Sequence, residues 1–174
     1  LLGNATEAWA NNSGSVLVAN TLVSSTLHGG AGADLFVGAH DVASTLIGGT
    51  GNDSYVVSNV SDIVQEDATG GQDVIYAHVD YVLPSNVETL YLVDAATHAT
   101  ANDDGATLIA NPTLSSVLDG GSGNDLLIGS HAAASMMNGG AGDDTYIVFN
   151  SQDLISEIIG IGLALINFPV WGNI

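Results

Sequence analysis

The chain has 174 residues, with 19 Asp and Glu, no Lys, no Arg and no Cys, and a formal charge of −19. Without a basic side chain it cannot neutralise nucleic-acid phosphates, build a lysine phosphate cradle or form a Ser-Lys nucleophile pair. Without Cys it has no disulfide, thiol nucleophile or thiolate zinc site. At 46% hydrophobic and 11% charged, it is not composed like a disordered chain, and its length fits one domain or two small ones. Compacting nineteen like charges calls for counter-charge, which a divalent cation supplies by taking several oxygens at once. The competing reading is an acidic, soluble surface of halophile type.

The chain begins without Met and without a charged and apolar leader, so it reads as a fragment or a processed piece of something longer. Single apolar residues then recur about every nine positions at Val18, Leu27, Phe36, Leu46, Tyr55 and Val64. The run Asp73–Leu92 is rich in Val, Ile, Tyr and Leu and broken at Pro84-Ser85-Asn86, which predicts longer strands that widen the structure there. The nine-residue period resumes at Ile109, Leu118, Leu127, Met137, Tyr146 and Ile155. Neither a helix nor a hairpin series has that period. A parallel coil does: two ninemers per coil, each a Gly-rich turn and a short strand, with the recurring apolar residues stacked inward. The uncharged stretch from Ile158 to Trp171 is too short for a membrane span and reads as a packing segment.

The chain is also duplicated. Sliding it by 91 residues aligns Asn11–Glu66 with Asn102–Glu157 without gaps, and 26 of the 56 positions are identical. The organisation read from this is a first unit over 1–91 and a second over 92–174, ending in a divergent apolar tail, 158–174. The fold expected is all-β: a parallel β-roll or β-helix solenoid with Gly-rich turns, built from two copies of a 91-residue unit.

Four ninemers share the pattern G-G-x-G-x-D-x-U-x, with U large and apolar: GGAGADLFV at 29–37, GGTGNDSYV at 48–56, GGSGNDLLI at 120–128 and GGAGDDTYI at 139–147. With the spacer residues Asp62–Glu66, Gly71–Asp73 and Asn86–Leu90, the chain resembles the RTX (haemolysin-type calcium-binding) family over roughly residues 11–157. The resemblance implies a parallel β-roll, Ca2+ as the cofactor, and secretion to the bacterial cell surface or medium.

Calcium takes six to eight oxygens at about 2.3–2.6 Å. A Gly-rich turn aims several carbonyls at one place and its Asp adds a carboxylate, so one turn offers about half a shell and the turn one coil later the rest. One ion is expected between the turns Gly29–Asp34 and Gly48–Asp53, and one between Gly120–Asp125 and Gly139–Asp144. The carboxylate ligands would be Asp34, Asp53, Asp125 and Asp144. Carbonyls of Gly30, Gly32, Gly49, Gly51, Gly121, Gly123, Gly140 and Gly142, or their neighbours, would complete the shells. Asp62, Glu66, Asp73, Asp153 and Glu157 are weaker ligand candidates, weighed against a solvated acidic edge. The opposite edge, with turns at 38–41 and 129–132 and Asn/Ser turns at 20–25 and 111–116, is expected to close by side-chain hydrogen bonds. His40 and His131, at equivalent positions, read as repeated turn residues.

No G-x-S-x-G elbow and no H-E-x-x-H is present, so no enzyme is expected. The functional reading is an extracellular, calcium-stabilised structural module of a surface layer, adhesin or filament. It would stack head to tail with copies of itself, with the tail 158–174 capping the roll or docking onto the next subunit, and would have no nucleic-acid partner and no membrane span. The alternative is the C-terminal, calcium-triggered folding module of a type I-secreted enzyme or toxin.

Overall fold

The computed structural model describes residues 2–157 and the backbone of 163–166. Among them are eighteen strands and no helix. The first copy contributes β1 (Glu7–Trp9), β2 (Val16–Val18), β3 (Ser25–Ala31), β4 (Leu35–Val37), β5 (Ser44–Thr50), β6 (Ser54–Val57) and β7 (Ile63–Gln65). Around the junction lie β8 (Val74–Ala77), β9 (Tyr81–Val82), β10 (Thr89–Leu92) and β11 (His98–Thr100). The second copy contributes β12 (Thr107–Ile109), β13 (Ser116–Ser122), β14 (Leu126–Ile128), β15 (Ser135–Ala141), β16 (Thr145–Val148), β17 (Leu154–Ser156) and β18 (Leu163–Ile166). All the even strands form one nine-stranded parallel sheet, while the odd strands form a four-stranded sheet (β1-β3-β5-β7) and a five-stranded sheet (β9-β11-β13-β15-β17). Inward residues from both sets share one core. This is the parallel solenoid that the nine-residue period predicts.

The core of the long sheet contains a column of large side chains. Leu17, Phe36, Tyr55, Ile75, Leu90, Leu108, Leu127 and Tyr146 are each the register partner of the next, and all are buried. Phe36 and Tyr55 stack with ring centroids 4.9 Å apart. Each large side chain so buried contributes about 1.5–3 kcal/mol relative to exposure.

Two members of the expected ladder are displaced by one residue. Leu17 and Leu108 point inward, whereas Val18 is 48% exposed and Ile109 half-buried. The pairing of Leu17 with Phe36 and of Leu108 with Leu127 sets these coils at 19 residues, not 18. A one-residue slip exchanges the two faces of a strand. Ile155, in the last strand of its sheet, is 42% exposed.

The run Asp73–Leu92 also departs from expectation. Its strands are no longer than the others, and its coil is narrowed to 15 residues (Val74 to Thr89) instead of widened. The chain saves length by turning at Asn86, whose φ of 65° is tolerated by Asn. The ladder between β7 and β9 is replaced by side-chain bonds: the Tyr81 hydroxyl donates to the Asp62 carbonyl (3.0 Å) and Asn86 Nδ2 to the Glu66 carbonyl (3.1 Å). The docking or capping role expected of 158–174 lies outside the described residues except for the backbone of β18, which adds one more parallel rung next to β16.

Candidate metal centre

The residue immediately before each strand of the long sheet stands at one edge of the roll. In register these residues are Ser15, Asp34, Asp53, Asp73, Glu88, Ala106, Asp125 and Asp144, so neighbouring carboxylates sit about one strand spacing, ~4.8 Å, apart. The sequence-predicted ligands of both copies therefore share one continuous row. Backbone bonds hold it in place. Asp53 Oδ1 accepts from the Asp34 N–H (2.7 Å), Asp73 Oδ1 from Asp53 N–H (2.7 Å), and Glu88 Oε2 from Asp73 N–H (2.8 Å). In the second copy Asp125 Oδ1 accepts from Ala106 N–H (2.7 Å) and Asp144 Oδ1 from Asp125 N–H (2.9 Å).

One oxygen of Asp53, Asp73, Asp125 and Asp144 is thus used to lock the rotamer, and the other is left over, while Asp34 keeps both oxygens free. Asp34 Oδ1 and Oδ2, and the Oδ2 atoms of Asp53, Asp73, Asp125 and Asp144, are buried without a hydrogen-bond partner. Orphaned buried carboxylate oxygens are costly. No basic side chain among the described residues relieves them, since the His–Asp contacts lie elsewhere, at His40–Asp41, His78–Asp94 and His98–Asp119. Burial accordingly pushes the carboxyls of Asp34 and Asp53 up, and those of Asp73 and Asp125 up to about 6.

Two tyrosines extend the row inward. The Tyr55 hydroxyl donates to Glu66 Oε1, and the Tyr146 hydroxyl to Glu157 Oε2, at equivalent places in the two copies. Glu157 Oε1 is a further orphan. Burial, with Asp73 and Asp53 nearby, raises the Glu66 carboxyl to about 7, and burial followed by Glu66 raises the Tyr55 hydroxyl. Neither tyrosine was among the expected site residues, though a Tyr eleven residues before a Glu recurs at the 91-residue offset. Glu88 was missed as well, because the shortened coil hides that it precedes its strand as the aspartates precede theirs.

The eight expected glycines all lie in the motif turns with positive φ, between 87° for Gly121 and 135° for Gly142. Successive turns stack closely: a Cβ on Gly49 would fall 2.6 Å from the Gly30 carbonyl oxygen, and one on Gly51, Gly140 or Gly142 would strike the carbonyl of Gly32, Gly121 or Gly123. A Cβ on Gly29 would lie 2.5 Å from the Gly48 carbonyl oxygen and 2.7 Å from Asp34 Oδ2, and one on Gly120 would meet the Gly139 carbonyl and Asp125 Oδ2. Glycine leaves open the space at which these oxygens converge. The donors are all oxygen, the choice of a hard cation such as calcium, so the residues present fit that ion.

Asp62 and Asp153 lie elsewhere. On the opposite edge, Asp62 Oδ1 accepts from Ser44 N–H (2.7 Å) and Oδ2 from Ser58 and Asn59 N–H (3.1 Å each), while Asp153 Oδ1 accepts from Ser135 N–H (2.7 Å) and Oδ2 from Asn150 N–H (3.1 Å). These carboxylates cap turns with both oxygens. The rest of that edge closes through Ser and Asn, with Ser25, Ser44, Ser116 and Ser135 hydroxyls accepting from the N–H of Asn20, Ala39, Asn111 and Ser130. His40 and His131 are exposed in its turns, His40 beside Asp41 and His131 stacked on Phe149 (3.8 Å).

A parallel β-solenoid whose one edge is a row of glycine turns and buried carboxylates is a β-roll of calcium-binding-repeat type. The chain carries RTX repeats: the family model for the RTX calcium-binding nonapeptide repeat (4 copies) matches residues 24–39 and 115–131. No curated protein and no solved structure matches it. Among the described residues no helix is long and apolar enough to cross a membrane.

The raised carboxyls give a pH dependence with a definite sign. A carboxyl with a folded pKa above its unfolded value binds protons more tightly when folded, so it adds stability below the unfolded value and loses it as pH rises through the folded one. With Glu66 at about 7 against 4.5, and Asp73 and Asp125 at about 6 against 3.8, the window runs from about pH 4 to 7. In chelator, the β-sheet circular dichroism lost at pH 8 is expected to return in part as pH is lowered to 5, and the gain on adding calcium to shrink over the same range. A chain in chelator that gains no β structure on acidification would contradict this assignment.

Proposed function

We propose that the chain is an extracellular structural module whose β-roll is stabilised by calcium along the carboxylate edge. One ion binds between the turns Gly29–Asp34 and Gly48–Asp53, the other between Gly120–Asp125 and Gly139–Asp144. Asp34, Asp53, Asp125 and Asp144 are the carboxylate ligands, and turn carbonyls from Gly30, Gly32, Gly49, Gly51, Gly121, Gly123, Gly140 and Gly142 or their neighbours add to them. The observation that carries this reading is the set of buried, unpartnered carboxylate oxygens in a chain without Lys or Arg. When bound, calcium supplies the missing positive charge to adjacent coils. The chain's own part is to hold one oxygen of Asp53, Asp125 and Asp144 by backbone bonds and present the other, and to present both oxygens of Asp34.

The units 1–91 and 92–174 serve as elements of a head-to-tail array of the surface-layer, adhesin or filament kind. Support comes from the duplication and from β1 and β2, which end their sheets with strand edges able to pair with another copy, in the same chain or the next. Calorimetric titration of the wild type, Asp53→Asn and Asp144→Asn, with sedimentation of the same samples, tests both parts. Each variant is expected to bind at least one calcium fewer than wild type, and the wild type to assemble as calcium rises. Unchanged stoichiometry in both variants removes the ligand assignment; a monomer at every calcium concentration removes the array.

A further inference from the structure

We propose that Asp53, Glu66 and Asp73 form a separate divalent-cation site, made from one nonapeptide aspartate and two carboxylates that lie outside any nonapeptide. The inference rests on the reading of this edge as calcium-binding, and adds a site that the stacking of nonapeptide turns does not supply. Each of the three residues offers an oxygen within 4.8 Å of the others, and no other group of three acidic or His side chains converges in this way among the described residues.

The geometry converges from three elements. Asp53 precedes β6, Glu66 follows β7 and Asp73 precedes β8, one coil on from Asp53. Asp53 and Asp73 are each 1% exposed, and each keeps Oδ2 buried and unpartnered while Oδ1 is held by a backbone N–H. Glu66 is positioned by the Tyr55 hydroxyl at Oε1 and by the Gly49 N–H at Oε2 (3.2 Å). Two glycines keep the space clear. A Cβ on Gly48 would strike Asp53 Oδ2 (2.5 Å), Glu66 Oε1 and the Tyr55 hydroxyl, and one on Gly70 would lie 3.0 Å from Glu66 Oε2 and 3.2 Å from Asp73 Oδ2.

Three carboxylates at this separation repel one another, and no Lys or Arg exists to offset them. An oxygen-only set with this charge suits a hard divalent cation, and calcium tolerates the irregular geometry that such a mixed set imposes. The arrangement belongs to the first copy. Strand register places Asp73 just before the partner of Ser54, whereas at the 91-residue offset the counterpart of Asp73 is Ala164. The duplication is thus unequal at this position, and the two units would hold different numbers of ions.

The test is calorimetric calcium titration of the full chain and of Asp73→Asn, Glu66→Gln and Asp125→Asn, each checked for wild-type far-UV circular dichroism at saturating calcium. Asp73→Asn keeps the oxygen that accepts from Asp53 N–H, so the local fold is retained. Asp73→Asn and Glu66→Gln are each expected to lose one calcium per chain. If Asp125→Asn loses an ion and these two lose none, the calcium-binding edge stands and this site falls. A wild type that binds no calcium overturns both readings. Terbium gives a readout independent of the carboxylate variants: Tyr55→Phe is expected to lower tyrosine-sensitised terbium emission, and undiminished emission counts against the site.

Discussion

In excess chelator at low ionic strength, the chain is expected to lose its β-sheet circular dichroism, and to regain it when calcium is returned to the millimolar range. The physical basis is linkage. The carboxylate row exists only when eight strands are in register, so binding free energy enters the folding equilibrium. Extracellular calcium sites have Kd of about 10⁻⁴–10⁻³ M. At about 10 mM free calcium, which is 100 Kd for the tighter of these sites, each site stabilises the fold by about 2.7 kcal/mol, so two sites together contribute about 5 kcal/mol. That matches the low end of the total stability of an ordinary domain, about 5–15 kcal/mol. Without the ion the same oxygens are a liability, because they are buried and unpartnered and no Lys or Arg offsets them. Sodium chloride at 1 M shortens the screening length to about 3 Å and relieves the exposed acidic residues, but not the buried row, so salt is expected to substitute only weakly for calcium. An unchanged spectrum and unchanged thermal midpoint in chelator would remove calcium from the account of this fold.

The second large effect is expected from Gly51→Ala. Gly51 has φ 126°, a conformation L side chains rarely adopt, and the added Cβ would run into the carbonyl of Gly32 in the previous coil. The obstruction is backbone against backbone, and both partners are tied into the ladder: Gly32 N–H donates to the Thr50 carbonyl (2.9 Å), and Gly51 N–H to that of Gly70. Neither turn can yield without breaking its neighbour. Backbone strain alone costs about 1–3 kcal/mol and overpacking adds about as much, so a loss of at least about 3 kcal/mol is expected in calcium. Gly3→Ala separates the two terms. Gly3 also has positive φ (64°) but nothing within 4 Å of an added Cβ, so it should show only the strain. Chemical denaturation in saturating calcium reads the difference, and equal, small effects at both positions would contradict the close stacking of the turns.

The residues that carry the edge show what was legible beforehand. The G-G-x-G-x-D turns place Asp34, Asp53, Asp125 and Asp144 by local rules: a turn with positive φ needs Gly, a strand follows, and the apolar residue after it turns inward. These rules act within nine residues, so they can be read from the chain. The Ser and Asn turns of the other edge are legible for the same reason, since each hydroxyl caps an N–H five residues earlier.

The missing Lys and Arg, the nine-residue period and the 91-residue duplication together specify a parallel roll with one carboxylate-rich edge. Which carboxylates meet there is set by coil length, and that varies from 15 residues at Val74–Thr89 to 20 at Ser54–Val74. One residue more or less moves a side chain to the other face of its strand, which is why Leu17 replaces Val18 in the core. The same long-range register brings Glu66 and Asp73 to Asp53 from separate strands, adds Glu88 to the row, and carries Asp62 and Asp153 to the opposite edge as turn caps. Carboxylates with similar local sequence thus take different roles, because hydrogen bonds between coils, rather than the residues beside them in the chain, decide which of their oxygens stay free.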